Sequence, residues 1–182
     1  MKNYIFILSI FLLIPSTTFS TPIFGDNASA TGSFRGDLNS VLGPHDNRFI
    51  QIGHGTSVTV NFATGFSALA DGTPADDLRV HTFDLPTPVE GEIAISADGS
   101  IFTTLGFFSD ANPGNVIDFD LDALGFTHVA AVRITDFSRT SVGFDLDAIE
   151  GFNGGPIPAP VPEPASILLL LTGSLFLIRK SK

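Results

Sequence analysis

Between Thr21 and about Pro160 the apolar residues recur at every second position rather than every third or fourth. Strand side chains alternate between two faces whereas helical ones return after 3.6 residues, so this period restricts the chain to β-structure. Eight short stretches carry it: Arg48 to Ile52, Ser57 to Phe62, Leu78 to Phe83, Glu92 to Ser96, Ile101 to Leu105, Val116 to Leu121, Val129 to Thr135 and Phe144 to Ile149. Gly, Pro, Asp and Asn separate them, the residues that turns use. The clearest turn is Asp98-Gly99 between "EIAIS" and "SIFTTL", a tight-hairpin pair because glycine accepts the positive φ required there. No stretch of this region forms an amphipathic helix. The expected architecture is all-β: a sandwich of about eight antiparallel strands.

The two ends follow different rules. Met1-Lys2-Asn3 is positively charged, Tyr4 to Ile14 is apolar but for Ser9, and Thr18-Phe19-Ser20 offers small residues around a cleavage point. This is the pattern of a secretory signal peptide over residues 1–20, too short to span a bilayer comfortably. Residues 21–153 form the expected sandwich domain, followed by a Gly/Pro-rich linker at 154–160. Prolines fall on every second residue from Pro156 to Pro164, a spacing that favours a stiff polyproline II segment. Ala165 to Ile178 is then apolar except for Thr172, Gly173 and Ser174, and Arg179, Lys180 and Lys182 close the chain. A basic cluster after an apolar run stays cytoplasmic, which places the body on the other side of the membrane.

Val161-Pro162-Glu163-Pro164, the apolar run and the basic end together resemble the PEP-CTERM sorting signal of Gram-negative bacteria, over residues 161–182. The resemblance implies export across the inner membrane, transient insertion there, and processing by an exosortase, a membrane transpeptidase-like enzyme. It further implies a final place at the cell surface or outside the cell. As a helix, Ala165 to Ile178 spans about 21 Å, less than a hydrocarbon core of roughly 30 Å, which suits a tail that holds briefly and is removed. An ordinary C-terminal membrane helix would need no Pro-Glu-Pro at its border.

With the ends set aside, about 140 residues remain, enough for one domain with a core. They contain no Lys, Tyr, Trp, Met or Cys. Lysine Schiff bases, Lys to Asn isopeptide crosslinks, thiol nucleophiles, Cys-ligated zinc and disulfides are thereby excluded from the body. Eighteen acidic residues stand against five arginines, a net charge of −13. Nucleic acid and anionic membrane surfaces are unsuitable partners for such a charge, whereas cations and neutral polymers suit it. Fourteen phenylalanines are expected to fill most of the core in place of the missing Tyr, Trp and Met.

"FDLDAL" at Phe119 to Leu124 recurs as "FDLDAI" at Phe144 to Ile149, which suggests two strands with Phe, Leu and Ala inward and Asp outward. Asp77-Leu78-Arg79-Val80, "ISADGSIFTTLG", Val132 to Asp136 and Gly143 to Ile149 resemble the galactose-binding-like jelly-roll domain that often precedes PEP-CTERM signals, departing from it at His81 and Thr82. That resemblance implies a secreted or surface jelly-roll sandwich, often with a structural calcium, and no catalysis.

Calcium wants six to eight oxygens. Asp71, Asp76 and Asp77 in "DGTPADD", and Asp145, Asp147 and Glu150 on the last strand, are candidate donors; the metal set drawn from them is Asp77, Asp145, Asp147 and Glu150. Asp118, Asp120 and Asp122 begin an EF-hand spacing that fails at Ala123 and Val129. The alternative is that these aspartates are the solvated face of strands and the formers of turns. For a sugar, a stacking aromatic is needed and only Phe exists; adjacent strand residues face opposite ways, so Phe107-Phe108 exposes at least one ring unless both pack at an edge. His45, His54, His81 and His128 share no metal spacing, "IGHGT" around His54 suits a turn, and no Gly-x-Ser-x-Gly elbow exists. The sequence thus points to a non-enzymatic surface protein, structural or adhesive within exopolysaccharide or biofilm. The alternatives are a carbohydrate-binding module, or a secreted glycan-active enzyme whose paired acids would act on a glycosidic bond.

Overall fold

The computed structural model describes residues 21–63, 66–83, 90–109, 116–138 and 143–156. The signal peptide, residues 157–160 of the linker and the whole sorting signal with Val161, Pro162, Glu163, Pro164, Arg179, Lys180 and Lys182 lie outside them. In chain order the strands are β1 (Thr21–Phe24), β2 (Asn27–Thr31), β3 (Phe34–Arg35), β4 (Ile50–Ile52), β5 (Ser57–Asn61), β6 (Phe66–Leu69) and β7 (Leu78–Thr82). They continue as β8 (Glu90–Ser96), β9 (Thr103–Ser109), β10 (Val116–Phe119), β11 (His128–Val129), β12 (Ala131–Asp136) and β13 (Phe144–Pro156). A single 3-10 turn, Leu38–Val41, is the only helical element among the described residues, and no helix there is long and apolar enough to cross a membrane.

All pairings are antiparallel, in two sheets. The smaller runs β2-β5-β12-β8-β9, and the larger runs β10-β7-β13-β4-β3 with β1 and β6 joined to the far half of β13. The two inner faces bury Ile50, Ile52, Leu78, Val80, Leu146 and Ile149 against Val58, Val60, Ile93, Ile95, Val132 and Ile134. Phe108 of one sheet meets Phe144 of the other with ring centroids 4.2 Å apart. An all-β sandwich is therefore what the chain forms, and each of the eight expected stretches contributes a strand.

The differences are local and have causes. The run Val129 to Thr135 is split, because β11 pairs with β6 in the larger sheet and β12 with β5 and β8 in the smaller: the chain changes sheets at Ala130. β9 lies later than expected and takes in Phe107 and Phe108. The domain does not end at residue 153. β13 runs on to Pro156, with Gly154 opposite both Thr21 and Ala68, and a side chain at Gly154 would collide with Ile23 of β1. Those glycines permit close packing and are not the start of a linker.

The core also departs from expectation. Among the phenylalanines whose side chains are described, Phe62, Phe108 and Phe144 are buried, and most of the volume comes from Ile, Val and Leu. β-Branched side chains fit the flat inner faces, while Phe34, Phe83, Phe107 and Phe137 are exposed. The repeated hexapeptide is not a repeated structure. Its first copy leaves β10 at Phe119 and enters a turn in which Asp120 accepts the Ala123 N–H, 3.0 Å, and Gly125 has a φ of 76°. The hairpin at Asp98-Gly99 forms as expected: Gly99 has a φ of 78°, and Asp98 accepts the Ser100 and Ile101 N–H groups. Those bonds favour the charged form and hold the Asp98 carboxyl well below the usual range.

Candidate functional site

The last strand explains why its aspartates are not a wet face. Leu146 pairs with Thr82 but Ala148 with His81, so β13 carries one extra residue, Asp147, as a bulge. The bulge moves the alternation by one position. Phe144 and Leu146 face the core before it, Ile149 and Gly151 after it, while Asp145, Asp147, Ala148 and Glu150 turn to the outer face. That outer face is roofed by the segment before β4. Asp46 and Asn47 donate backbone N–H groups to Asp147 at 3.4 and 2.9 Å, the His45 ring lies tilted against His81 with centroids 4.9 Å apart, and Phe49 stacks on Phe83 at 4.8 Å. In consequence Asp145 and Asp147 are only 2% and 3% exposed, and the reading of both as solvated is corrected.

The proposed metal set is corrected with it. Asp147 is occupied by the Asp46 and Asn47 backbone, and Glu150 bonds His81 at 2.8 Å. Asp145 sits beside Gln51, with its second oxygen unpaired among the described residues. Burial pushes its carboxyl up to about 6, against an opposing hydrogen bond from Gln51. Asp77 stands at the other end of β7 from Phe83, whose N–H binds the Asp145 carbonyl. Six residue steps along the strand separate these ends by roughly 20 Å, too far for one ion.

Asp77 instead meets Asp71 and Asp122, with a carboxylate oxygen from each within 4.8 Å of the others. Asp77 is fully buried, holding the Leu121 N–H at 3.0 Å and the Asn153 amide at 3.2 Å. Burial above all, then the neighbouring Asp71 and Asp122 charges, raise its carboxyl, against these two hydrogen bonds. Exposed Asp71 is lowered by its bonds to the Thr73 hydroxyl and N–H. Three converging carboxylates with no ion-pair partner among the described residues are a hard-oxygen donor set suited to calcium. Asp122 could have been suspected from the failed EF-hand spacing, but only the turn after β10 brings it to Asp71.

At the opposite end, on the outer face of the smaller sheet, Phe107 is 76% exposed. Its neighbour Phe108 points inward onto Phe144, so the adjacent pair divides between the two faces as strand geometry requires. Phe107 lies opposite Glu92, and Phe137, 40% exposed, follows β12 and donates its N–H to the Glu90 carbonyl at 2.7 Å. Together Glu90, Gly91, Phe107, Phe108 and Phe137 line a shallow pocket of about 310 Å³. Thr104 donates to Glu92, and among the described residues no cation pairs with Glu90 or Glu92. The arrangement offers apolar ring faces edged by hydrogen-bond acceptors. Sequence reasoning missed Phe137, which is brought to Phe107 only by the β12-β8-β9 order.

No protein-family model matches the chain, and none of the curated proteins matches it. Among solved structures it is similar to the CBM32 of AlyQ in complex with 4,5-unsaturated mannuronic acid, at 14% identity and a TM-score of 0.50, covering 71% of this chain and 98% of that one. CpGH89CBM32-6 produced by Clostridium perfringens aligns at 16% identity and a TM-score of 0.49, over 70% and 92% of the two chains. A pectin binding carbohydrate binding module aligns at 14% identity and 0.43, over 77% and 96%. At these identities the first likeness is one of fold: a β-sandwich of the same build.

Proposed function

We propose that the folded body is a non-catalytic glycan-binding module, and that the chain is exported and sorted to the cell surface or the exopolysaccharide around it. One observation carries the binding reading: Phe107, a large apolar side chain, stands 76% exposed on a sheet face beside Phe137. Aromatic faces stack on the C–H face of a sugar ring, and the flanking Glu90 and Glu92 carboxylates accept its hydroxyl hydrogens. The similar sandwich of the AlyQ module, in complex with a sugar acid, is a fold on which a saccharide is held. Here the acidic border favours neutral polymers, in keeping with a body of net charge −13.

A calcium ion at Asp71, Asp77 and Asp122 belongs to the same reading, as a staple that offsets three mutually repelling carboxylates in a domain without disulfides. So do the signal peptide and the exosortase-processed tail that follows Val161 to Pro164; mature protein still carrying Arg179 to Lys182 would contradict that processing.

The binding test is depletion of the purified protein by insoluble polysaccharides, including the exopolysaccharide of the producing bacterium, with release of reducing sugar measured in parallel. Retention without release, lost in Phe107→Ala, is expected. Release of reducing sugar would overturn the non-catalytic assignment.

A further inference from the structure

The surface at Phe107 is one end of a longer line that takes one side chain from each strand of the smaller sheet. Thr31 of β2 pairs with Ser57 of β5, Ser57 with Thr135 of β12, Thr135 with Glu92 of β8, and Glu92 with Phe107 of β9. Paired antiparallel residues share a face, and the neighbouring Val58, Ile134 and Ile93 are in the core, so the line stands on the outer face. The Ser57 and Thr135 hydroxyls accordingly meet at 2.9 Å, and Thr104, two residues along from the line, donates to Glu92. With strands about 4.8 Å apart, four steps carry the line about 19 Å from Phe107 to Thr31.

A second line runs beside it, in which Ser29 pairs with Thr59 and Thr59 with Arg133. The Arg133 guanidinium lies over the Phe102 ring, 4.4 Å from its centroid, and forms no ion pair among the described residues. The outer face of the larger sheet is roofed by the segment before β4, whereas here Ser29, Thr31 and Phe107 are exposed and Ser57, Arg133 and Thr135 half-buried. The charge is as distinctive as the geometry. In a body of net charge −13, the two lines hold one acid and one base, Glu92 and Arg133, which offset each other.

We propose that the glycan held at Phe107 is an internal, extended stretch of neutral polysaccharide that crosses all five strands of this sheet, laid along the line from Phe107 to Thr31. This rests on the reading of Phe107 as a sugar platform, and adds the length and the direction of what is bound. An anionic polymer would meet Glu90 and Glu92 beside the ring. A second copy of this chain would need an apolar centre to its interface, and between Glu92 and Thr31 the line has none. Hydroxyls donate and accept at once, so Thr135, Ser57 and Thr31 can pair with sugar hydroxyls in either sense. An extended glycan advances by about one strand spacing per ring, so that successive rings meet successive strands, about five in all.

The test uses the full chain in a detergent without a sugar headgroup, titrated calorimetrically with size-fractionated fragments from partial hydrolysis of the producing bacterium's exopolysaccharide. Affinity is expected to rise with each added ring until the fragment is about 19 Å long, and then to level off. The double variant Ser57→Ala/Thr135→Val removes two hydroxyls that bond each other and should weaken the long fragments by about tenfold. Thr31→Glu, on an exposed edge strand, folds even if the double variant does not, and should bring long fragments down towards the affinity of short ones. Affinity that stops rising at one ring, or long fragments insensitive to both variants, would overturn the proposal; if Phe107→Ala still abolishes retention of the intact polymer, the platform reading stands without it. Failure of the wild type to retain the intact polymer would overturn that reading, and this proposal with it. Variants that change self-association in analytical ultracentrifugation, and not fragment affinity, would assign the face to a second copy of the chain and likewise overturn it.

Discussion

Replacing Asp145 by asparagine should make the protein more stable at neutral pH, although it alters a buried residue. The Asp145 carboxyl is raised from 3.8 to about 6 because burial disfavours its charge. A folded value above the unfolded one means that the folded state binds the proton more tightly, so its stabilising effect is present below about pH 4 and is lost as pH rises through 6. Two pKa units correspond to about 3 kcal/mol of ionisation cost carried by the wild type at pH 7.5. Asparagine keeps the shape and removes that cost, but its own N–H group lacks an acceptor, a penalty of about 1–2 kcal/mol. The net gain is about 1–2 kcal/mol, or a melting temperature higher by about 3–8 °C for a domain of this size. Far-UV circular dichroism is the suitable probe, since the body has neither Trp nor Tyr. Thermal and urea unfolding of both forms at pH 4.5 and 7.5 should show the advantage at 7.5 and none at 4.5. Equal destabilisation at both pH values would refute the burial argument.

Calcium at about a hundred times its dissociation constant should add roughly 2.7 kcal/mol and raise the melting temperature by several degrees. The shift should disappear with chelator and in Asp77→Asn or Asp122→Asn, and persist in Asp145→Asn; a shift that depended on Asp145 would put the ion elsewhere. Asp136 is fully buried and accepts the Ser138 N–H and hydroxyl and the Phe144 N–H, tying the end of β12 to the start of β13. Asp136→Ala should therefore cost about 3 kcal/mol or more in urea unfolding, and a loss below about 1 kcal/mol would show that those donors find other partners.

How far the sequence revealed the structure depended on contrast. β5, β8 and β12 alternate large apolar with polar residues and were legible, as was the Asp98-Gly99 turn between β8 and β9. β2, "NASAT", also alternates, but its inward residues are only Ala28 and Ala30, which give little hydrophobic signal. β3 and β11 are two residues long, too short for any period. The bulge at Asp147 leaves no mark on composition, yet it decides which side chains face the core after Leu146. Nor can alternation show that the segment from Gly43 to Phe49 covers an outer face, and that cover is what buries Asp145 and Asp147. The candidate sites follow the same rule. Exposure of one ring in Phe107-Phe108 follows from strand geometry alone, whereas the joining of Phe137 to Phe107 and of Asp122 to Asp77 is made by the tertiary arrangement of strands and turns, which local sequence does not encode.

The central claim, that the exposed phenylalanines hold a polysaccharide, is tested most directly by native affinity electrophoresis in gels containing the producer's exopolysaccharide. Wild type, the Phe107→Ala/Phe137→Ala double variant and Ile101→Ala should be compared, Ile101 being 75% exposed but outside the pocket. Retardation of the wild type and of Ile101→Ala, abolished in the double variant at unchanged melting temperature, is the predicted result. Equal retardation of all three, or of none, would contradict the assignment of glycan binding to this surface.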